Sequence, residues 1–465
     1  MSKRLEIKVG ENLRCIELVS GNRHHCTFMH KNNGIYFDIF DFENPVEVNE
    51  NEPIFLLSER TSIISLYQNI CLGRSVNSGL TEDRFYNQKY QANFAIVGDD
   101  RWCLSDKIKR INFKLPVDRL FWNPARFRSI EAANFKQSDF EIFSVSTSKM
   151  DISCYFTAKQ MSWSEGFTDF SCEFQIELAK GVPFGEHHEF LAAVKWFFVG
   201  CLGKPFNAFA LRINRLNLQE FVEEIESTGF SPEHVEVSGL GDEEIQNAVD
   251  SGLGVIWASP AIGDSDEEIE NMKLNLAAWI ERLDDWKEAY AHMEKCFKLR
   301  GELSSERLLS ACKWLESIAI ANHQKIVDEG AYSQWLRAIL EKSKYFNLDI
   351  EASRIVGAVR VLQNESHRVR FKRLVDNIVS IDARFQRVAV DIFVQDLINS
   401  QRLRGKAAHS DIDLKNSDDI DEVARAIYAV EALCIQLTML ELPWSDTARA
   451  RLVGHKAFQA YLNLR

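Results

Sequence analysis

Residues 391–433, DIFVQDLINSQRLRGKAAHSDIDLKNSDDIDEVARAIYAVEAL, decide the fold class of the C-terminal half. Phe393 and Leu397 stand four apart on one helical stripe, and Arg404 lies two turns beyond Leu397, so the stripe leads from apolar core to a guanidinium. Gly405 predicts the end of that helix, since glycine takes the left-handed cap geometry without strain. Ser417 is placed to cap a second helix, with Asp418 and Asp419 in its first turn, where carboxylates meet the positive end of the peptide dipoles. Two long helices joined by a bend predict a bundle.

Working upstream, the helical character extends back to Met272. In 304–323, SSERLLSACKWLESIAIANH, Ser304 or Ser305 is a capping residue, and Leu308, Leu309, Cys312, Leu315, Ile318 and Ile320 form an apolar stripe. Further helices are predicted over 332–345, 351–362, 366–380, 384–403, 417–441 and 445–463. Before this half the pattern changes. The segments RLEIKV (4–9), GIYFDIFDF (34–42), PIFLLS (53–58), ANFAIV (92–97), KRINFKL (109–115), FEIFSVS (140–146), ISCYFTA (152–158) and CEFQIEL (172–178) are short and rich in branched and aromatic residues, as strands are. A helix over 186–202 and a strand over 206–216 close this part. The expectation is an α+β chain: an antiparallel β-sandwich-like domain over 1–215, an acidic connector of small α/β character over 216–271, and an all-helical domain over 272–465.

The 465 residues are 46% hydrophobic, enough for large cores, and the net charge of −13 excludes a protein that coats polyanions by bulk charge. Between Glu220 and Glu270 there are 15 Asp or Glu and no Lys or Arg; between Asn364 and His409 nine Lys or Arg face five Asp or Glu. Any contact with nucleic acid therefore falls to such a local basic stretch. Ten cysteines without a Cys-x-x-Cys pair read as reduced thiols, and the opening MSKRLEIKVGENLRC lacks the apolar stretch of a signal peptide, so a cytoplasmic protein is expected. The longest apolar run, Phe190–Leu202, is too short to span a bilayer. His24, His25, Cys26 and His30 match no standard zinc spacing, so no metal is expected there.

Arg404 and His409 carry the chemistry. On an unbroken helix they would point about 140° apart; a break at Gly405 lets them converge. A histidine moves a proton near neutral pH, and an arginine holds a phosphate through two hydrogen bonds while offsetting charge in the transition state. Together they suit RNA cleavage without a metal or cofactor. The spacing recurs in Arg449/His455, Arg360/His367, Arg23/His30 and Arg402/His409, but the Arg404/His409 pair combines the end of an apolar helix, a glycine, two alanines and a capped helix beyond. Lys406 is a candidate phosphate contact, and Glu316 a candidate to orient Arg404 or His409.

The hexapeptide RGKAAH between two long helices resembles the Arg-x4-6-His signature of HEPN domains. SERLLSACKWLESI and HRVRFKRLVDNI, in that order upstream, resemble helices of the ApeA-like branch, and the β-rich half is similar to the domain that accompanies it in bacterial anti-phage proteins. The resemblance implies a metal-independent endoribonuclease that acts as a homodimer, lines one cleft with two Arg–His pairs, and degrades host RNA, often tRNA, in abortive infection. The N-terminal part would then sense a phage protein. This chain carries Gly405 directly after the motif arginine, where many active members carry Asn, Asp or His. The competing expectation is a HEPN module that dimerises without catalysis, attached to a β-sandwich binding domain.

Overall fold

The computed structural model describes residues 12–17, 24–31, 34–41, 52–58, 62–78, 84–98, 101–121, 141–162, 166–228, 235–238, 266–345, 351–381, 390–408, 417–452 and 455–464. The elements in chain order are β1 (Asn12–Glu17), β2 (His25–Lys31), β3 (Gly34–Asp41), β4 (Ile54–Ser58), β5 (Ile63–Tyr67), β6 (Ile70–Ser78), β7 (Arg84–Ala92), β8 (Phe94–Gly98), β9 (Lys107–Lys114), α1 (Asp118–Phe121), β10 (Glu141–Ser146), β11 (Asp151–Ser162), β12 (Gly166–Pro183), α2 (His187–Leu202), β13 (Phe209–Asn214), α3 (Leu218–Thr228) and β14 (Val235–Ser238). Then come α4 (Asp266–Glu281), α5 (Leu283–Lys298), α6 (Ser305–Ser317), α7 (Glu329–Tyr345), α8 (Ala352–Gln363), α9 (His367–Ile381), α10 (Val390–Ala407), α11 (Ser417–Leu440), α12 (Asp446–Leu452) and α13 (Lys456–Leu462). The chain is α+β, with antiparallel sheet first and helices after. The expected strand RLEIKV lies outside the described residues.

All fourteen strands join one ladder, in the order β10-β11-β12-β9-β13-β14-β8-β5-β4-β1-β2-β3-β7-β6. Asn93 alone separates β7 from β8, yet these two strands stand at opposite ends of the run β8-β5-β4-β1-β2-β3-β7. The run must therefore curl round on itself, and its inward faces share one core: Leu13, Phe28, Phe37, Ile39, Leu56, Ile64, Leu66, Tyr90 and Val97. The alternation of these positions along each strand is the two-residue period of the pleat. This gives sandwich-like packing of β1–β3 and β7 against β4, β5 and β8.

The remaining strands bury Ile111, Phe113, Phe143, Ile152, Phe174 and Ile176. Helix α2 covers them, with Phe198 edge-on to Phe174 at 5.3 Å, and α4 follows, with Trp279 edge-on to Phe197 at 5.7 Å. The Trp279 indole N–H donates to the Ala193 carbonyl at 3.1 Å, which satisfies its one polar atom inside the core. The described parts of 216–271 are α3, β14 and the start of α4. Asn217 Oδ1 accepts the Glu220 N–H at 2.8 Å and Glu220 accepts the Asn217 N–H at 3.0 Å, a reciprocal cap that starts α3. Glu220 also pairs with Lys109, and Phe221 lies 4.4 Å from the Arg110 guanidinium. Strand β14 pairs with β13 on one side and β8 on the other.

The described residues fall into two compact units. One takes those up to Phe198, 206–238 and α4; the other takes Val199–Pro205 and those from Arg282 onward. In the helical unit α11 packs against α6, α9, α10 and α13. The stretch Asp419–Leu440 is long and apolar enough to cross a membrane, but 83% of its apolar window is buried inside the protein. Arg307 on α6 and Glu431 on α11 are fully buried and form a two-pronged pair, Nε–Oε1 and Nη2–Oε2 both at 2.8 Å. Burial works against the Arg307 charge, and the Glu431 carboxylate more than offsets it, so its pKa is held above the usual value. The single helix expected over 445–463 is two, α12 and α13. His455 breaks it: it is extended (φ −60°, ψ 137°), and its Nδ1 accepts the Ala457 N–H at 3.2 Å to cap α13. Its Nε2 therefore carries the proton and donates to the Gly200 carbonyl at 2.9 Å. None of the ten cysteines is in a disulfide, and eight of them are buried.

Candidate active site on the helical unit

Two apolar stripes aim the site. On α10, Leu403 and Ala407 are one turn apart and buried; they pack on Leu308 and Cys312 of α6 and on Val423, Ala426 and Ile427 of α11. Leu308, Cys312 and Glu316 follow each other at four-residue steps on α6, so the face that meets α10 ends in a carboxylate. Arg404 sits beside Leu403, at the edge of the buried stripe. The guanidinium and the carboxylate meet head-on: Arg404 Nη1 donates to Glu316 Oε1, and Nη2 donates to Oε2 at 2.9 Å. The side chains stay 35% and 41% exposed, so the pair is anchored yet open to a ligand.

Gly405 does not end α10. The helix runs to Ala407, and the Ala408 N–H still bonds the Arg404 carbonyl at 3.0 Å. The buried Ala407 side chain holds the last turn in place, which overrides the cap preference of an exposed glycine whose surroundings are empty within 4 Å of a Cβ. The described helix begins at Val390, and the expected stretch 384–389 lies outside the described residues. Lys406 is exposed on the final turn. His409 lies outside the described residues, as does the bend from it to the start of α11.

Sequence reasoning missed a second group of charges next to this pair. Arg373 of α9 grips Glu365, with Nη2–Oε1 at 2.6 Å, and donates to the Asn322 carbonyl at 3.0 Å. Buried Arg370 donates through Nε to the Ala321 carbonyl and through Nη1 to His323 Nε2 at 3.3 Å. His323 Nδ1 faces the Glu365 carbonyl at 3.0 Å. A carbonyl can only accept, so Nδ1 bears the proton and Nε2 is the acceptor for Arg370. The strand-like bridge Lys325–Asn364 ties the same two segments. Ser366 caps α9 by accepting the Val369 N–H at 3.4 Å, which sets His367 at the helix start. The His367 ring stands 5.0 Å from His323 and stacks on Phe371 at 6.1 Å. Partial burial, then the electrostatic influence of His323, Arg370 and Arg404, push its pKa below the usual value; Glu316 acts the other way. The arginine clamp on Glu365 pulls that carboxyl pKa down. The signal that could have found this group is the spacing His367, Arg370, Arg373, three apart on one helix face.

The Cys312 thiol beneath the pair is pushed up to about 12 by burial and stays protonated, so it is no nucleophile. Among the described residues, no group of three or more His, Cys, Asp or Glu is placed to hold a metal ion. Strand β2 turns Cys26 and His30 inward and His25 outward, which separates that set. No family model, no curated protein and no solved structure matches this chain.

Proposed function

We propose that this protein is a HEPN-type endoribonuclease of bacterial anti-phage defence, cutting RNA at Arg404 without a metal or cofactor. The observation that carries this reading is the two-pronged Arg404–Glu316 contact at a half-exposed position. A guanidinium has five N–H donors. Glu316 takes two of them, which fixes the plane of the group and leaves the others for a phosphate. One residue past Ala408 the chain carries His409, the proton-transfer group of this reading. The arginines and lysines of α9 and α10 supply the local positive charge that the acidic whole lacks. In this proposal the helical unit forms a homodimer, the substrate is cytoplasmic RNA such as tRNA, and the sheet unit responds to a phage protein.

Arg404→Ala and His409→Ala should each abolish cleavage of total RNA and of tRNA in the presence of EDTA, and should relieve toxicity on expression in bacteria. Circular dichroism establishes that the variants remain folded. Undiminished cleavage by both folded variants would falsify the assignment.

A further inference from the structure

Beside the Arg404–Glu316 pair the helical unit carries a groove of about 660 Å3, whose lining includes His323, Leu362, Asn364, Glu365, Ser366 and His367. The two histidines in it are not equivalent. His323 has both ring nitrogens committed, to the Glu365 carbonyl and to Arg370. Neither nitrogen of His367 is hydrogen-bonded to another described residue; its ring rests on Phe371 and against the His323 edge. It is exposed at the start of α9, with Arg370 and Arg373 fixing the frame around it through the carbonyls that follow α6. An imidazole that lines a groove, packs by its ring on Phe371 and His323, makes no hydrogen bond to another described residue and lies within electrostatic reach of Arg404 is able to exchange protons with a bound group.

We propose that His367 takes the proton from the attacking 2′-hydroxyl of an RNA nucleoside seated in this groove while Arg404 holds the adjoining phosphate. The inference rests on the ribonuclease reading above. The 2′-oxygen bonds to phosphorus as its proton passes to His367, the bond from phosphorus to the 5′-oxygen breaks, and that oxygen takes a proton from water. The products are a 2′,3′-cyclic phosphate and a 5′-hydroxyl end, and His367 returns its proton to water. The groups that act electrostatically on His367 are Glu316 from α6, His323 from the loop after it, Arg370 from α9 and Arg404 from α10, while Glu365, clamped by Arg373, lines the same groove. The two guanidinium groups favour a neutral, proton-accepting imidazole, as a general base requires.

The test uses the full-length protein, a labelled single-stranded RNA and bulk tRNA, with EDTA, from pH 5 to 9. His367→Gln should lower kcat/KM by about 100-fold or more, leave the melting temperature in place, and remove the acid limb of the pH–rate profile. Added imidazole should restore part of the activity of His367→Ala, which loss of a structural contact alone would not permit. If the glutamine variant melts early, His367→Asn with the same imidazole rescue stands in for it. Should wild type cut RNA while a folded His367→Gln cuts within about threefold of it, the proposal is overturned and the ribonuclease reading stands. Should wild type cut neither RNA, the ribonuclease reading fails and this inference goes with it.

Discussion

Replacing Glu316 by glutamine separates the orientation of Arg404 from the stability of the helical unit. The pair is 35% and 41% exposed, and ion pairs in such positions contribute about 0–1 kcal/mol to folding. For a unit of this size 1 kcal/mol corresponds to roughly 2–4 °C in Tm. The catalytic cost is larger. A carboxylate accepts both Nη1–H and Nη2–H, whereas a glutamine offers one oxygen and turns an NH2 group toward the other guanidinium nitrogen. Losing one charge-assisted hydrogen bond that fixes the guanidinium plane forfeits about 1.5–3 kcal/mol. At 1.36 kcal/mol per tenfold, kcat/KM should fall by about 10- to 150-fold. The assay is cleavage of labelled RNA, run beside thermal melting of the same preparations. Cleavage within about threefold of wild type would mean that Glu316 does not orient Arg404 for the reaction. A Tm loss beyond roughly 8 °C would mean that the contact is structural.

Three further outcomes follow from the packing. His455 is buried and its pKa is depressed to about 4, by burial first, against the ordinary 6.5. The unfolded chain therefore binds more protons between those values, and stability falls as pH drops from about 6.5 to about 4, by about 3 kcal/mol from this group. Guanidinium titrations at several pH values should show this slope in wild type and a shallower one in His455→Gln. Glu431→Ala should destabilise the helical unit by about 3–5 kcal/mol, because it strands the buried Arg307 charge; a loss under about 1 kcal/mol in urea unfolding would contradict the buried pair. Gly405→Ala should raise stability by about 0.5–1 kcal/mol, since the site is helical and open around a Cβ. A lowered Tm there would show that the helix does end at Gly405.

Strands whose inward positions are apolar were legible from their alternation, as KRINFKL in β9 and CEFQIEL in β12 show. Strand β7, RFYNQKYQA, was not, because its inward residues include Gln88 and Tyr90. They satisfy each other inside the core, Gln88 Nε2 to Tyr90 Oη at 2.9 Å, so burial there does not depend on apolar chemistry. In β2 the pleat places His25 and His30 on opposite faces, in a stretch whose spacing already matched no standard zinc site. The cap at His455 was hidden because histidine is an uncommon N-cap, and its partner Gly200 is remote in sequence. At the candidate site, Arg404 was readable as the residue that continues an apolar stripe, and Glu316 was named only as a candidate to orient it. His323, Arg370 and His367 were not. Arg370 and Arg373 are held by the backbone carbonyls of Ile320, Ala321 and Asn322, and the three-residue spacing on α9 alone does not reveal those partners.

The four residues of β14 have a consequence out of proportion to their length. They are the lone rung between β8 and β13 in the ladder, and they are supplied by the most acidic stretch of the chain. Withdrawing this rung, by a protease cut or by a ligand that captures the acidic stretch, would uncover two rows of unpaired backbone N–H and C=O groups at once. Such raw edges invite a new strand. Strand β14 is thus the keystone of this part of the ladder, and a foreign strand pairing in its place would be read directly in the hydrogen bonding of the sheet.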